Sequence, residues 1–293
     1  MFNTALKTII KKILSIDFFH KILFIISRTG LIPASIYAGF PVNKIVNFSI
    51  NSYKFKYHLI TGDEVGMPMY WQGTIFESET MELFVNLIKK SDCFVDIGAN
   101  TGIYSILAAS VNKKCKVFSF EPMPNSYDAL VRNIAINNYE NIIQPIKKAV
   151  SNIDGVTQFN VPYNSVFSSS ASLDINGFRG FKGQSIKVDV ITLDKFLVNI
   201  NNNPDLIKID VEGFENRVLE GMKILIGRCH PTIILECLLD GPAIEINDIL
   251  ASHDYHFYHL TDDGMIKYEN IIPDNKDVFK NWLCVNGGNK VAL

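Results

Sequence analysis

The chain has 293 residues, 47% of them hydrophobic and 20% charged, with a formal charge of -2 at pH 7. That is apolar material for one large domain, or one domain with an added cap, and too much for a disordered chain. With acids and bases mixed throughout, a nucleic-acid binder relying on bulk positive charge is excluded, and no nucleic-acid partner is expected.

Residues 5–26 come first. Leu6, Ile9, Ile10, Ile13 and Leu14 recur at helical spacing, with Lys7, Lys11 and Lys12 between them. The longest apolar run, Ile22 to Ile26, is far too short to span a bilayer, and no small-residue cleavage site follows a continuous apolar segment. The pattern predicts an amphipathic helix packed on the body or in a homodimer; its alternative is a basic helix resting on the inner face of a membrane. Residues 1–91 as a whole read as an N-terminal α+β cap. It has strand candidates in "NFSINSYKFKYHLI" and a helix in "SETMELFVNLIKK". Five cysteines form no CxxC pair, and Cys93, Cys237 and Cys284 lie in apolar strand-like runs. Reduced core thiols in a cytoplasmic protein are the expectation.

From residue 92 to the end, short apolar runs alternate with helical stretches, which predicts an α/β domain built on a mostly parallel sheet with helices on both faces. "CFVDIG" is the first strand and "GIYSILAASVN" the helix after it; "KVFSFEP" and "NSYDALVRNIAINN" repeat the unit. "IIQPIKKAV" reads as the third strand, "DLIKIDVEG" as the fourth, followed by the helix "ENRVLEGMKILI", and "TIILEC" as the fifth. Before the fourth strand, "VTQFNVPYN" and "SIKVDVITLDKFL" have period-2 character around a Ser/Gly loop, predicting a β-rich insertion. The loop, with Asn164 and Arg179, is expected to border an acceptor pocket. The tail supplies an antiparallel hairpin, with Trp282 to Val285 as an edge strand.

Three blocks carry chemistry. In the first, Asp96 ends a strand, and Gly98, Asn100, Thr101 and Gly102 form the turn into a helix. Such a turn exposes backbone N–H groups to a ligand. It lacks the Lys-Ser/Thr pair of a phosphate loop, and Asn100 stands where a dinucleotide fingerprint has its central glycine. In the second, Glu121 ends the next strand before Pro122, placed to accept hydrogen bonds from both ribose hydroxyls of an adenosine. In the third, Lys208, Asp210 and Glu212 alternate along the fourth strand, which puts three charges on one face at its carboxyl end. Buried parallel strands are normally continuous apolar runs, so these charges are paired or functional.

Taken in order, "VDIGANTGIYS", "FEPMPNSYDALVRNIAINN" and "IKIDVEGFENRVLEG" resemble the FkbM family of S-adenosylmethionine-dependent methyltransferases. The resemblance covers about residues 92 to 240 and leaves the first 80 or so unexplained. It implies a Rossmann-like class I methyltransferase sheet. It also implies that Asp96, Gly98 and the Asn100–Gly102 turn hold the methionine end of S-adenosylmethionine and that Glu121 binds its ribose. Met123 and Asn125 would then line the adenine or ribose, and Lys208 to Glu212 would face the methyl group and the acceptor, with Asp210 touching the cofactor as well. Family members typically O-methylate hydroxyls of sugars or natural products, so the expected acceptor is a sugar or activated sugar.

A sugar hydroxyl does not ionise near neutral pH, so its proton needs a base or a metal. No histidine falls on the strand rim, which leaves Asp210 as first choice of base and Glu212 as second. Glu236, ending the fifth strand, is placed to join Asp210 around a divalent cation, but two carboxylates alone are a thin ligand set and no metal is favoured. A non-sugar small molecule or lipid acceptor, a nicotinamide oxidoreductase sharing Glu121, and a non-catalytic cofactor-binding scaffold are the competing readings.

Overall fold

The computed structural model describes residues 17–29, 40–73, 75–162, 183–200, 203–276 and 278–288. The first part of the N-terminal amphipathic stretch, and the Ser/Gly loop with Asn164 and Arg179, lie outside them. Helix α1 (Asp17–Ser27) precedes a hairpin of β1 (Asn43–Ile50) and β2 (Tyr53–Ile60), then α2 (Gly66–Gln72) and α3 (Ser78–Ile88). The hairpin turns on Asn51 and Ser52, with φ of 45° and 70°. Two left-handed residues suit a two-residue turn, whose twist matches that of the strands.

The α/β part follows as β3 (Cys93–Ile97), α4 (Ile103–Val111), β4 (Lys116–Phe120), α5 (Pro124–Asn137) and β5 (Ile143–Ile146). The insertion holds β6 (Ala149–Val150), β7 (Gly155–Pro162), β8 (Gly183–Ile191) and α6 (Leu193–Ile200). Then come β9 (Leu206–Ile209), α7 (Glu215–Glu220), α8 (Lys223–Cys229), β10 (Thr232–Glu236), α9 (Ala243–Ala251), β11 (Tyr255–Thr261), β12 (Gly264–Tyr268) and β13 (Asn281–Asn286). The main sheet has the order β12-β11-β13-β10-β9-β3-β4-β5, parallel from β10 to β5 and antiparallel in the tail. A separate sheet, β6-β8-β7, forms the insertion.

Every residue of β3, β9 and β10 is buried. Side chains alternate between two cores. Val95, Ile97, Ile207 and Ile209 face the core under α7 to α9, while Phe94 and Leu206 face a core shared with the hairpin, α2 and α3. In that shared core Trp71, Tyr57, Met81 and Phe84 are fully buried. Each such side chain contributes about 1.5–3 kcal/mol relative to exposure. Acidic side chains fix the starts of elements: Asp205 accepts from the N–H groups of Asp92 and Cys93, and Asp194 from those of Ile224 and Leu225 where α8 begins.

Three local expectations are corrected. Trp282 to Val285 are not an edge strand, because β13 lies between β10 and β11 and is buried throughout; β12 and β5 form the edges. The predicted third strand is two, with β5 in the main sheet and β6 in the insertion. The predicted strand through "ITLDKFL" ends at Ile191, and α6 takes over. Helix α1 packs Leu23 and Phe24 against the shared core, and the Ser27 hydroxyl donates to the Trp71 carbonyl at 2.7 Å. Ile22, Ile25 and Ile26 stay exposed. Among the described residues no helix is long and apolar enough to cross a membrane.

Candidate active site

From β3 the chain winds outward through β4 to β5, then returns to place β9 and β10 on the other side of β3. The β3–β9 boundary is therefore the topological switch point, where ligands bind in open α/β sheets. A cavity of about 370 Å³ opens there, lined by Asp96, Gly98, Asn100, Glu121, Met123, Lys208, Asp210, Glu212 and Glu236 among others. Its size suits a cofactor-sized molecule.

The turn after β3 is built from the backbone outward. The N–H groups of Gly98 and Ala99 both donate to the Phe120 carbonyl, and Asp210 N–H donates to the Ile97 carbonyl at 3.0 Å. Gly98 has φ of +82°, and a Cβ there would lie 1.8 Å from the Asp210 carbonyl oxygen. Glycine is thus required by the close passage of two strand ends, before any ligand is considered. Gly102 is required by its left-handed backbone, φ +93°; the atom its Cβ would meet, Leu130 Cδ1 at 2.5 Å, is the end of a flexible side chain. Asn100 is left-handed at φ 49° and its N–H donates to Glu121 Oε2 at 2.8 Å. Met123 N–H donates to Glu121 Oε1 at 2.8 Å. Glu121 thereby ties the turn to the end of β4 and still has lone pairs for further donors.

Beneath the turn lies a buried ionic cluster. Asp96 stands in register with Lys208 and accepts from the Ser105 hydroxyl at 2.5 Å. Lys208 donates to Asp210 Oδ2 at 2.6 Å and lies over the Tyr104 ring, 4.5 Å from its centroid. The Tyr104 hydroxyl donates to Glu77 Oε2 at 2.5 Å, and Glu77 enters α3 with a left-handed φ of 44°. Burial alone would depress the Lys208 pKa, but Asp210, Glu77 and Asp96 together raise it. Burial lifts Asp96 to about 6, against the pull of Lys208, and Glu121 to about 7, against its two backbone N–H donors. Glu236 is raised well above the usual carboxylate range by burial, then by Asp210 and Glu212. The lining holds eight carboxylates (Glu64, Glu77, Glu79, Asp96, Glu121, Asp210, Glu212 and Glu236) against Lys148, Lys208 and Lys280. That balance suits a ligand carrying positive charge, as a sulfonium with an ammonium does.

Not every predicted residue reaches the cavity. Among the described residues, Thr101, Gly102 and Asn125 do not line it. Thr101 is buried, with its hydroxyl on that of Tyr57 and its carbonyl accepting from Asn133. Asn125 is exposed on the first turn of α5. The gathering of Lys208, Asp210 and Glu212 also differs in cause from strand alternation. β9 stops at Ile209, and a turn with Glu212 at φ 54° brings its carboxylate to those of Asp210 and Glu236.

Glu77, Tyr104, Lys280 and Asn281 line the cavity without having been singled out in the sequence. Tyr104 sits in the "GIYS" of the first block, where its spacing was available to find it. Glu77 had no comparable signal, being an acid in a polar stretch of the cap.

Comparison with known proteins identifies the family. The model of the methyltransferase FkbM domain matches residues 96–257, more than half of the chain. A hexuronic acid methyltransferase, AglP, from Haloferax volcanii is 25% identical over 147 residues, covering 50% of this chain and 56% of that protein. Methyltransferase sdnD from Sordaria araneosa is 31% identical over 155 residues, covering 44% and 59%. The chain thus spans a little over half the length of these relatives. Among solved structures, methyltransferase FkbM from Methylobacillus flagellatus aligns at TM-score 0.42 and 17% identity, covering 75% of this chain and 52% of that one.

Proposed function

The chain belongs to the FkbM methyltransferase family, and from that premise we propose that it is an S-adenosylmethionine-dependent O-methyltransferase whose acceptor is a sugar hydroxyl. A nucleotide-activated sugar or glycan precursor in the cytoplasm is the acceptor in this reading. The observation that carries it is Asp210, held by Lys208 at 2.6 Å in the lining of a cavity that Gly98, Asn100 and Glu121 also line. The AglP relative, named for a hexuronic acid, supports the sugar.

The cofactor supplies an electrophilic methyl group on sulfur. Glu121 accepts the ribose hydroxyls, Met123 packs beside the adenosine, and Asp96 with the Asn100 turn faces the methionine end. Asp210 receives the acceptor's hydroxyl proton on the oxygen that Lys208 leaves free, while Lys208 holds that carboxylate in place. Glu212 stands beside it as the second base. Positioning the hydroxyl oxygen in line with the methyl carbon is left to the cavity walls, including Phe159 of β7.

Mass spectrometry of a panel of activated sugars, glycans and lipids incubated with protein and cofactor tests the acceptor. A gain of one methyl on a sugar is expected, and products from non-sugars alone would overturn that class. Asp210→Asn should lower turnover by about 10²-fold or more, while S-adenosylhomocysteine still binds; full activity in that variant would remove Asp210 from the mechanism.

Cofactor affinity should also depend on pH. With its pKa raised to about 7, Glu121 takes up a proton in the free protein as pH falls below that value. Ribose hydroxyls donate best to the carboxylate, so binding releases that proton and weakens on acidification. Calorimetry with S-adenosylhomocysteine should show affinity falling up to about tenfold per pH unit below pH ~7, with a plateau above. Glu121→Gln should bind more weakly and without this slope. A slope unchanged in that variant would assign the proton elsewhere.

A further inference from the structure

The rim holds one more carboxylate than proton removal and its lysine partner account for. One oxygen from each of Asp210, Glu212 and Glu236 lies within 4.8 Å of the others. Glu236 is 7% exposed, and its Oε2 is buried with no hydrogen-bond partner among the described residues. Lys280 forms an ion pair with the other oxygen, Oε1, at 3.7 Å, and leaves Oε2 without a donor. Directly across the β10–β13 pair from Glu236 stands Asn281, 3% exposed; its amide hydrogen-bonds Glu77, and its Oδ1 is also buried and without a partner among the described residues. Cross-strand neighbours share one face of a sheet, and both residues line the cavity. Two adjacent buried oxygens lacking donors are costly unless a ligand satisfies them.

We propose that Asp210, Glu212 and Glu236, with Asn281 Oδ1, hold one hard divalent cation such as Mg²⁺ or Mn²⁺ at the lip of the cavity. The donor set is all oxygen, with neither nitrogen nor sulfur, which is the preference of these ions. Lys208 occupies Oδ2 of Asp210, which leaves Oδ1 for the ion. The inference rests on the methyltransferase reading and keeps its reaction, but gives Asp210 the part of metal ligand in place of base. A cation here selects an acceptor with two neighbouring oxygens, as in a sugar diol, and acidifies the hydroxyl that it holds. The hydroxyl proton then leaves to solvent, the oxygen bonds to the methyl carbon, and the carbon–sulfur bond breaks with its electron pair left on sulfur. Asp210 acts as ligand in this scheme, and Asp210→Asn loses turnover as it does when Asp210 is the base. Activity alone therefore cannot separate the two, and metal binding must be read directly.

The test is a Mn²⁺ titration of the full chain followed by electron paramagnetic resonance, with saturating S-adenosylhomocysteine whose own binding is measured first by calorimetry. One Mn²⁺ per chain, displaced by Mg²⁺, is expected. Glu236→Gln should weaken it by about tenfold or more and leave S-adenosylhomocysteine affinity within about twofold. Glu212→Gln, at the more exposed edge of the rim, gives the same readout should Glu236→Gln fold poorly. A stoichiometric site weaker than about 1 mM, or one untouched by both variants, overturns the cation site. Failure of S-adenosylhomocysteine to bind overturns the cofactor reading instead, and the Mn²⁺ titration without it still judges the metal.

Discussion

Gly98→Ala is expected to destabilise the fold by ~3 kcal/mol or more and to abolish binding of S-adenosylhomocysteine. The added Cβ would stand 1.8 Å from the Asp210 carbonyl oxygen and 2.9 Å from its carbonyl carbon. Neither is the end of a flexible side chain, so relief requires moving β3 away from the end of β9. Their separation would break the Asp210 N–H bond to Ile97 and displace the Asp210 carboxylate with it. Gly155 supplies the control. It too has a positive φ, +133°, but its Cβ would meet nothing within 4 Å. Gly155→Ala should therefore cost only the backbone strain, about 1–2 kcal/mol, and leave ligand binding intact. Denaturant midpoints for the two variants decide the matter. Equal losses would mean that close passage of the strands is not what demands glycine at 98.

Lys208→Met should cost about 3–5 kcal/mol near neutral pH, because removing one partner of a buried ionic group strands the others. Lys208 is 2% exposed and is the cation shared by Asp210, Glu77 and Asp96. The loss should depend on pH in a definite sense. Asp96 already has a folded-state pKa of about 6, above its ordinary value of 3.8. A group raised in this way adds stability below its unfolded pKa, and that contribution is lost as pH rises through the folded value. Without Lys208 the folded value climbs further, so the stability gap between variant and parent should widen from pH 5 to pH 8. Adding Asp96→Asn to Lys208→Met should recover part of the loss, a coupling that a double-mutant cycle measures. A gap independent of pH would show that packing of the lysine stem, and not its charge, carries the effect.

The parts of the site legible in the sequence were those whose signal is local. A buried strand that ends in a glycine turn, an acid one βα unit later, and charges closing an apolar run are each written within a dozen residues, and all three meet at one cavity. What was hidden depends on pairing across the chain. β13 reads as a short apolar strand, but its insertion between β10 and β11 is decided by partners some 25–50 residues upstream. With that placement went the approach of Asn281 to Glu236, so a third rim carboxylate was visible and its neutral neighbour was not. Glu77 was hidden for a different reason. It matters because Tyr104 reaches back to it, and no pattern within the cap marks that contact. Even the glycines of the turn were assigned a ligand-facing purpose, whereas Gly98 is required first by the Asp210 carbonyl and Gly102 by its φ of +93°.

The hydroxyl of Tyr57 bridges Asp63 and Thr101, and Asn133 holds the Thr101 carbonyl. Two of these four residues belong to the hairpin region, ahead of the stretch that the family model matches. Anyone replacing the front segment of this chain would meet a constraint here. A transplanted front segment has to bring its own tyrosine and aspartate in register with Thr101, or the turn after β3 loses a strut. The seam for such grafts is therefore not the linker before β3 but a matched set of side chains on both sides of it.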